Sequence, residues 1–358
     1  MNDPVQDREI RTTAVDFSFG ELLNLHRDKE IVIRPEYQRL FRWSTEQRSR
    51  LIESILLGLP IPPIFLIEND KGILELIDGL QRTSSVLQFL DHEAIGEPEL
   101  ILAGCDILGR INGKTFATLD TVEKLKVKRT PIRATIINKS GDSFVKYEMF
   151  KRLNTGGSLL SAQEIRNCSS RMVERGEEFY EAIQKMALYG PFRGTIARLP
   201  DTYVEQRADE ELVLRYFAVT TYQQGFKGNI EEWLDSFMEG VLFGDLDFDI
   251  ASSTLRFERT FSVLNDKLSD QAFTRFNDQG NATGRLAPAY FEAVVVTFDQ
   301  ATEELEAIDS TDLLDRLRKA FSSSEFKDAT GPGANTIPKL GQRIDTVRTY
   351  LLDRYVSL

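Results

Sequence analysis

Apolar residues along this chain follow two periods, and the switches between them mark out its elements. Leu51, Ile52, Ile55 and Leu56 lie at helical spacing behind Ser44 and Gln47, a capping-box pair, so a helix is expected to begin at Ser44 and stop at Gly58 and Pro60. A short helix over 17–27 and a strand at Ile31 to Ile33, ended by Pro35, are expected ahead of it. The runs Ile64 to Ile67 and Ile73 to Ile77 flank Asn69-Asp70-Lys71-Gly72, whose residue types suit a tight turn, so they should pair as a hairpin. The second run ends at Asp78-Gly79, and a helix from Gln81 to Leu90 follows at once. A strand at Ile132 to Ile137 and a helix from Ser143 to Leu153 come next, the helix broken by Asn154-Thr155-Gly156-Gly157. Ser161 with Glu164 signals another capped helix. Beyond residue 171 the stripes near 209–222, 230–242, 254–267, 288–306 and 337–357 are all helical. The expected class is α+β: a polar, frayed start (1–14), a mixed α/β domain (15–170) and an all-helical C-terminal domain (171–358).

Composition narrows the chemistry. With 41% hydrophobic and 28% charged residues, the 358-residue chain reads as an ordinary globular protein large enough for two cores. The longest apolar run, Ile55 to Ile67, carries three prolines and is too short to cross a bilayer, and no basic start joins an apolar run. No membrane association is expected. The two cysteines, Cys105 and Cys168, cannot build a disulfide framework and suit a reducing, cytoplasmic compartment. The two histidines, His26 and His92, are too few and too dispersed for a zinc site or a Ser-His-Asp triad. No zinc, haem or flavin is expected; a metal, where used, should be a hard ion such as Mg²⁺ held by carboxylate and phosphate oxygens. The net charge of −12 is uneven: residues 1–170 carry 23 basic and 24 acidic side chains, the remainder 21 and 32. Two basic islands stand in the first half, Arg34/Arg39/Arg42/Arg48/Arg50 and Lys124/Lys126/Lys128/Arg129/Arg133. Each can grip phosphate or simply lie on a solvated face.

Three segments gather residues that phosphate chemistry uses. In Ile77-Asp78-Gly79-Leu80-Gln81-Arg82-Thr83-Ser84 a strand turns through glycine straight into a helix N-terminus, where unpaired amides and the local dipole favour an anion. Gly79 allows close backbone approach, Arg82, Thr83 and Ser84 offer contacts to phosphate, and Asp78 is placed to hold Mg²⁺ or orient a water. The same pattern also fits a plain β-to-α turn with a solvated arginine. Around Tyr37-Gln38-Arg39, with Phe41, Arg42 and Trp43 behind, an aromatic–arginine mix can stack on a base, or the aromatics can belong to the core. In Phe150-Lys151-Arg152-Leu153-Asn154-Thr155-Gly156-Gly157 the tandem glycine can admit a phosphate or cap a helix.

Taken in order, Tyr37-Gln38-Arg39, Leu51 to Pro63, Ile77 to Arg82, Phe150 to Gly157 and Leu160 to Asn167 resemble the bacterial ParB-like domain at the N-terminus of GmrSD-type, modification-dependent restriction enzymes. The resemblance covers about 15–170 and is loose beyond. It implies a ParB/sulfiredoxin-like core that binds and hydrolyses a nucleoside triphosphate with Mg²⁺, in an anti-phage restriction system acting on modified DNA. It places Asp78, Gln81 and Arg82 in catalysis and Asp78 at the metal. Tyr37, Gln38, Arg39, Gly79, Thr83, Ser84, Arg152, Asn154, Gly156 and Gly157 would line the nucleotide phosphates. Leu80 departs from the family's Asp-Gly-Gln-Gln-Arg, where a second amide is usual. The family's His-containing nuclease domain has no counterpart in 171–358, which hold no histidine, so any cleavage would come from a separate nuclease subunit or from the ParB-like domain itself. Sulfiredoxin-type chemistry is not expected, since Leu80-Gln81 stands where that chemistry needs a cysteine. Two alternatives remain open: a metal-dependent DNA-nicking enzyme using the same pocket, and a catalytically silent subunit binding DNA or a nuclease.

Overall fold

Short β-branched and aromatic runs build one sheet, and the helices between them bury its face. The computed structural model describes residues 12–33, 43–69, 71–137, 143–155, 161–171, 173 and 175–352, save the side chains of 143, 145, 146 and 153–155. The chain divides into two compact units, Met1–Ser158 and Leu159–Leu358.

In the first unit, β1 (Thr12–Ser18) runs into helix α1 (Phe19–Arg27), so residues 12–14 of the polar start are strand. β2 (Ile31–Val32), helix α2 (Thr45–Leu57), the hairpin β3 (Ile64–Glu68) and β4 (Leu74–Asp78), and helix α3 (Leu80–Leu90) follow. Helix α4 (Thr121–Arg129), strand β5 (Pro131–Ile137) and helix α5 (Ser143–Thr155) complete it. The five strands are ordered β1-β5-β3-β4-β2. β1 is antiparallel to β5, β5 parallel to β3, β3 antiparallel to β4 and β4 parallel to β2. The capping box at Ser44 forms as the sequence requires, and Gly58 closes α2 in the left-handed region. Asn69 organises the hairpin turn, its Oδ1 accepting from the amides of Lys71 and Ile73.

Alternation along the strands sends Ile64, Leu66, Leu76, Ile132 and Ala134 into a core shared with Leu22, Ile52, Ile55, Val86, Leu87 and Val127 of the helices. Ile67, Ile77 and Ile137 are buried outside that cluster, and α5 packs against β4 with Tyr147 and Phe150 buried. Between α3 and α4, residues 97–120 form an irregular segment that hydrophobic periodicity does not announce. Buried carboxylates hold it: Glu53 accepts from the amides of Ile107 and Leu108 at 2.8 and 2.6 Å, and Glu123 pairs with Arg110 and Lys114.

The second unit is helical, with a two-residue ladder between Arg275–Phe276 and Ala282–Thr283. Its main helices are α6 (Ala162–Ser170), α7 (Gly176–Ala187), α8 (Ala208–Thr221), α9 (Ile230–Phe243), α10 (Ile250–Leu268), α11 (Pro288–Gln300), α12 (Ser310–Ser322), α13 (Ser324–Thr330) and α14 (Ile337–Leu351). The stripe expected over 288–306 is broken at Ala301, where α11 ends and a short helix, Thr302–Glu306, begins. Aromatics interlock at its centre, Phe257 and Phe261 with ring centroids 4.4 Å apart and Phe192 against both.

A ladder of alternating charge threads this core. Asp235 accepts from Arg166 Nε at 2.7 Å, Arg166 Nη1 reaches Glu211 at 3.3 Å, and Glu211 accepts from Arg215 at 3.0 Å. Arg215 donates to Glu292 at 2.8 Å, and Glu292 also holds Arg343. Arg166, Arg215, Glu292 and Arg343 are buried. Burial opposes charge on Glu211, but Arg215 and Arg166 outweigh it and hold that carboxyl below its usual value. Burial raises the neighbouring Glu210, despite the opposing charge of Arg207.

Candidate functional site

The site is assembled where β4 becomes α3. Strand pairing carries Asp78 to the edge of β3, opposite Phe65. Gly79 then adopts φ 94° and ψ 16°, and α3 starts at the next residue. Two constraints select glycine. Its φ lies in the region that disfavours L side chains, and an added Cβ would sit 2.4 Å from Ile64 Cγ2. The turn therefore packs tightly on β3.

Asp78 and Arg82 close on one another across this turn, Arg82 Nη2 donating to Asp78 Oδ2 at 2.7 Å. Both stay within reach of solvent, at 28% and 15% side-chain exposure, so a solute anion can compete for the guanidinium. Leu80 is partly buried and packs against the core. Gln81 Oε1 accepts from the amide of Trp43 at 3.1 Å. Ser84 is half-buried. Thr83 is fully buried, and its Oγ1 has no hydrogen-bond partner among the described residues.

Arg152 is exposed near the end of α5, and its ion pair runs back along its own helix to Glu148 at 3.0 Å. The backbone of Asn154 belongs to that helix, but its side chain lies outside the described residues. Tyr37, Gln38, Arg39, Gly156 and Gly157 also lie outside them. The described structure thus brings Asp78, Gly79, Gln81 and Arg82 together.

Arg48, expected only as a member of the first basic island, and Gln88, which was not foreseen, take part in the same neighbourhood. Arg48 Nε donates to the Trp43 carbonyl at 3.0 Å and Nη1 to Gln88 Oε1 at 2.9 Å. The available signal was the seven-residue spacing of Gln81 and Gln88, which puts two amides on one helix face.

Most of the lysine-rich island is spent on the chain itself. Lys124 donates to the Ala117 carbonyl at 2.6 Å and Lys126 to that of Leu56 at 2.7 Å, and Arg133 makes two bonds to Asp16. The histidines serve packing: a ring nitrogen of His26 meets the Ala94 carbonyl, and one of His92 the Glu97 carbonyl, each at 3.2 Å. Burial pushes the Cys105 thiol up to about 11 and raises that of Cys168 further, so both are protonated at neutral pH. Among the described residues no group of three or more His, Cys, Asp or Glu could hold a metal ion, and no helix is long and apolar enough to cross a membrane.

Residues 19–170 match the family model described as GmrSD restriction endonuclease, N-terminal domain. The matched span covers the Asp78 turn and continues past Ser158 through α6, so its last motif contributes Arg166 to the buried ladder of the second unit. Comparison with curated proteins and with solved structures found no match.

Proposed function

We propose that this chain serves a restriction or defence system acting on DNA, and that its first unit binds and hydrolyses a nucleoside triphosphate at the Asp78–Arg82 turn. The observation that carries the reading is the tight, glycine-dependent passage from strand to helix N-terminus, flanked by an accessible carboxylate–guanidinium pair, inside the span that matches the family model. The first amides of α3 and the positive end of its dipole favour phosphate. On binding, Arg82 exchanges Asp78 for phosphate oxygens, and the Asp78 carboxylate becomes available to a cation.

Mg²⁺ typically keeps most of its water and takes one or two carboxylates plus phosphate oxygens. A single accessible Asp78 fits an ion that arrives on the nucleotide rather than one caged by the protein. When bound, Mg²⁺ would supply neutralisation of the charge shared by the terminal phosphates. Arg82 adds a second cation where transition-state charge develops, with Arg39, Ser84, Arg152, Asn154, Gly156 and Gly157 as further candidates to line the phosphates; Thr83, expected among them, is fully buried and is left out. Leu80, turned to the core, leaves these groups in place. A nuclease subunit is a candidate partner for any DNA cleavage.

Calorimetric titration with Mg²⁺ complexes of ATP, GTP and CTP tests the binding step. A hydrogen bond to a charged group contributes about 1.5–3 kcal/mol, so Arg82→Ala should weaken the bound nucleotide about tenfold to a hundredfold. Equal affinity in wild type and Arg82→Ala would remove this turn from the site. Nicking of supercoiled DNA with Mg²⁺ or Mn²⁺ and no nucleotide would favour the nuclease reading instead.

A further inference from the structure

We infer that the hairpin Arg275–Thr283 of the second unit, with Arg285 just beyond it, is a contact surface for duplex DNA. The inference rests on the reading of the chain as DNA-acting, but not on the nucleotide turn.

The two short strands run antiparallel, Arg275 opposite Thr283 and Phe276 opposite Ala282. The turn that joins them is closed by Asn277. Its amide donates to the Asn281 carbonyl at 3.0 Å and its carbonyl accepts from the Gly280 amide at 2.9 Å. Its Oδ1 accepts from the amides of Gln279 and Asn281 at 3.1 and 2.9 Å. The inner face is pinned to the unit. Phe276 stacks on Phe321 of α12 with ring centroids 6.0 Å apart, and the Arg318 guanidinium lies 5.5 Å from the Phe276 ring. Arg198 holds the second strand, Nη1 donating to the Ala282 carbonyl at 3.4 Å while Nε holds Asp270 at 2.8 Å. Alternation turns the other side outward: Phe276, Gly280 and Ala282 are half-buried, whereas Arg275, Asn277, Gln279, Asn281, Thr283 and Arg285 are exposed.

Charge sets this ribbon apart. Residues 171–358 carry 21 basic and 32 acidic side chains, yet 275–285 holds two arginines against one carboxylate, Asp278 in the turn. Elsewhere in the unit exposed arginines are spent on carboxylates, Arg193 on Asp209, Arg259 on Glu303 and Arg348 on Asp345. Among the described residues no ion pair or hydrogen bond engages the side chain of Arg275 or Arg285. Guanidinium groups kept clear of carboxylates suit phosphate, and the amide and hydroxyl side chains between them suit base edges and sugars. A two-stranded ribbon also fits the major groove of B-form DNA, about 12 Å wide. The outward face has no apolar side chain to form the dry centre of a protein interface. Its aromatic ring, Phe276, is turned inward and offers a single strand no stacking platform. The deep, narrow major groove of double-stranded RNA would exclude the ribbon.

Fluorescence anisotropy of the full chain with a labelled duplex of about 30 base pairs, between about 50 and 200 mM salt, tests the contact. Each phosphate neutralised contributes about 0.9 to the slope of log affinity against log salt. Arg275→Ala with Arg285→Ala should therefore lower that slope by about 1–2 and weaken binding about tenfold or more at about 50 mM salt. The unfolding midpoint should not move, because both side chains are exposed and unpaired. Arg275→Lys with Arg285→Lys keeps the charge and should recover most of the affinity. Arg259→Ala with Arg348→Ala removes the same charge from ion-paired positions of the same unit and should leave the slope unchanged. Wild-type binding matched in affinity and slope by the double alanine variant overturns the hairpin contact and leaves the DNA-acting reading standing. An equal loss in the Arg259 and Arg348 control reduces the effect to net charge and overturns the contact as well. A folded wild type that binds no duplex refutes the DNA-acting reading and the contact together. Tighter binding of a single strand or of double-stranded RNA overturns the assignment to duplex DNA.

Discussion

Replacing Gly79 with alanine presses on the geometry that defines the turn. At φ 94° an L residue pays for the left-handed region, about 1–2 kcal/mol. The new Cβ would also meet Ile64 Cγ2 at 2.4 Å and Ile64 Cβ at 3.0 Å, and Ile64 is fully buried in β3, with no room to retreat. Overpacking of this kind costs about 1–3 kcal/mol, so the two effects together come to about 2–5 kcal/mol. Urea unfolding followed at Trp43 in a Trp233→Phe background reports the first unit. With a slope of about 2 kcal/mol per molar, the midpoint should fall by about 1–2.5 M. A double variant with Ile64→Ala removes the contacted methyl, and its loss should fall short of the sum of the single losses by about 0.5–3 kcal/mol. A Gly79→Ala midpoint within about 0.2 M of wild type, corresponding to well under 0.5 kcal/mol, would refute the turn as described.

Other expectations concern the second unit and the thiols. Glu292→Gln leaves Arg215 and Arg343 buried against a neutral amide, so the second unit should lose about 3–5 kcal/mol in urea unfolding read at Trp233; a loss below about 1 kcal/mol would show that the ladder is not buried as described. The raised Glu210 carboxyl contributes stability at low pH that is lost as pH rises through its folded value, whereas the lowered Glu211 contributes stability at neutral pH that is lost as pH falls through its own. Glu210→Gln should therefore raise the unfolding midpoint near neutral pH, with the gain shrinking toward about pH 4, where the unfolded carboxyl is itself protonated. Glu211→Gln should lower the neutral-pH midpoint; the opposite order would contradict both assignments. Iodoacetamide at about pH 8 should leave both cysteines unmodified in the native protein and alkylate both in urea. Rapid native labelling of either thiol would be inconsistent with its burial.

Local chemistry was legible wherever a side chain and its backbone partner lie within a few residues. The boxes at Ser44 and Ser161, the left-handed stop at Gly58, the hairpin across Asn69 to Gly72 and the passage from Asp78 into α3 all follow from such spacings. β1 was not legible: only Phe17 is buried along it, so Thr12 to Ser18 carries little hydrophobic signal and is specified by pairing with the distant β5. The segment 97–120 escaped for the same reason, since Glu53 and Glu123 fix it through long-range contacts that no periodicity records. At the site, the Asp78–Arg82 pair is four residues apart and could be anticipated. The hold of Arg48 and Gln88 on Trp43 depends on how α2 packs against α3. Leu160 to Asn167 reads as the last motif of the first domain, yet Arg166 and Asn167 make their contacts with Glu211, Asp235 and Glu210 of the helical unit.

The most direct test of the central claim is phosphate release from ATP, GTP and CTP in the presence of Mg²⁺, with wild type beside Asp78→Ala and Arg82→Ala. The account expects turnover of at least one nucleotide by wild type, and its loss in both variants while their circular dichroism is retained. No release by a folded wild type from any of the three, or undiminished release by Asp78→Ala, would contradict it.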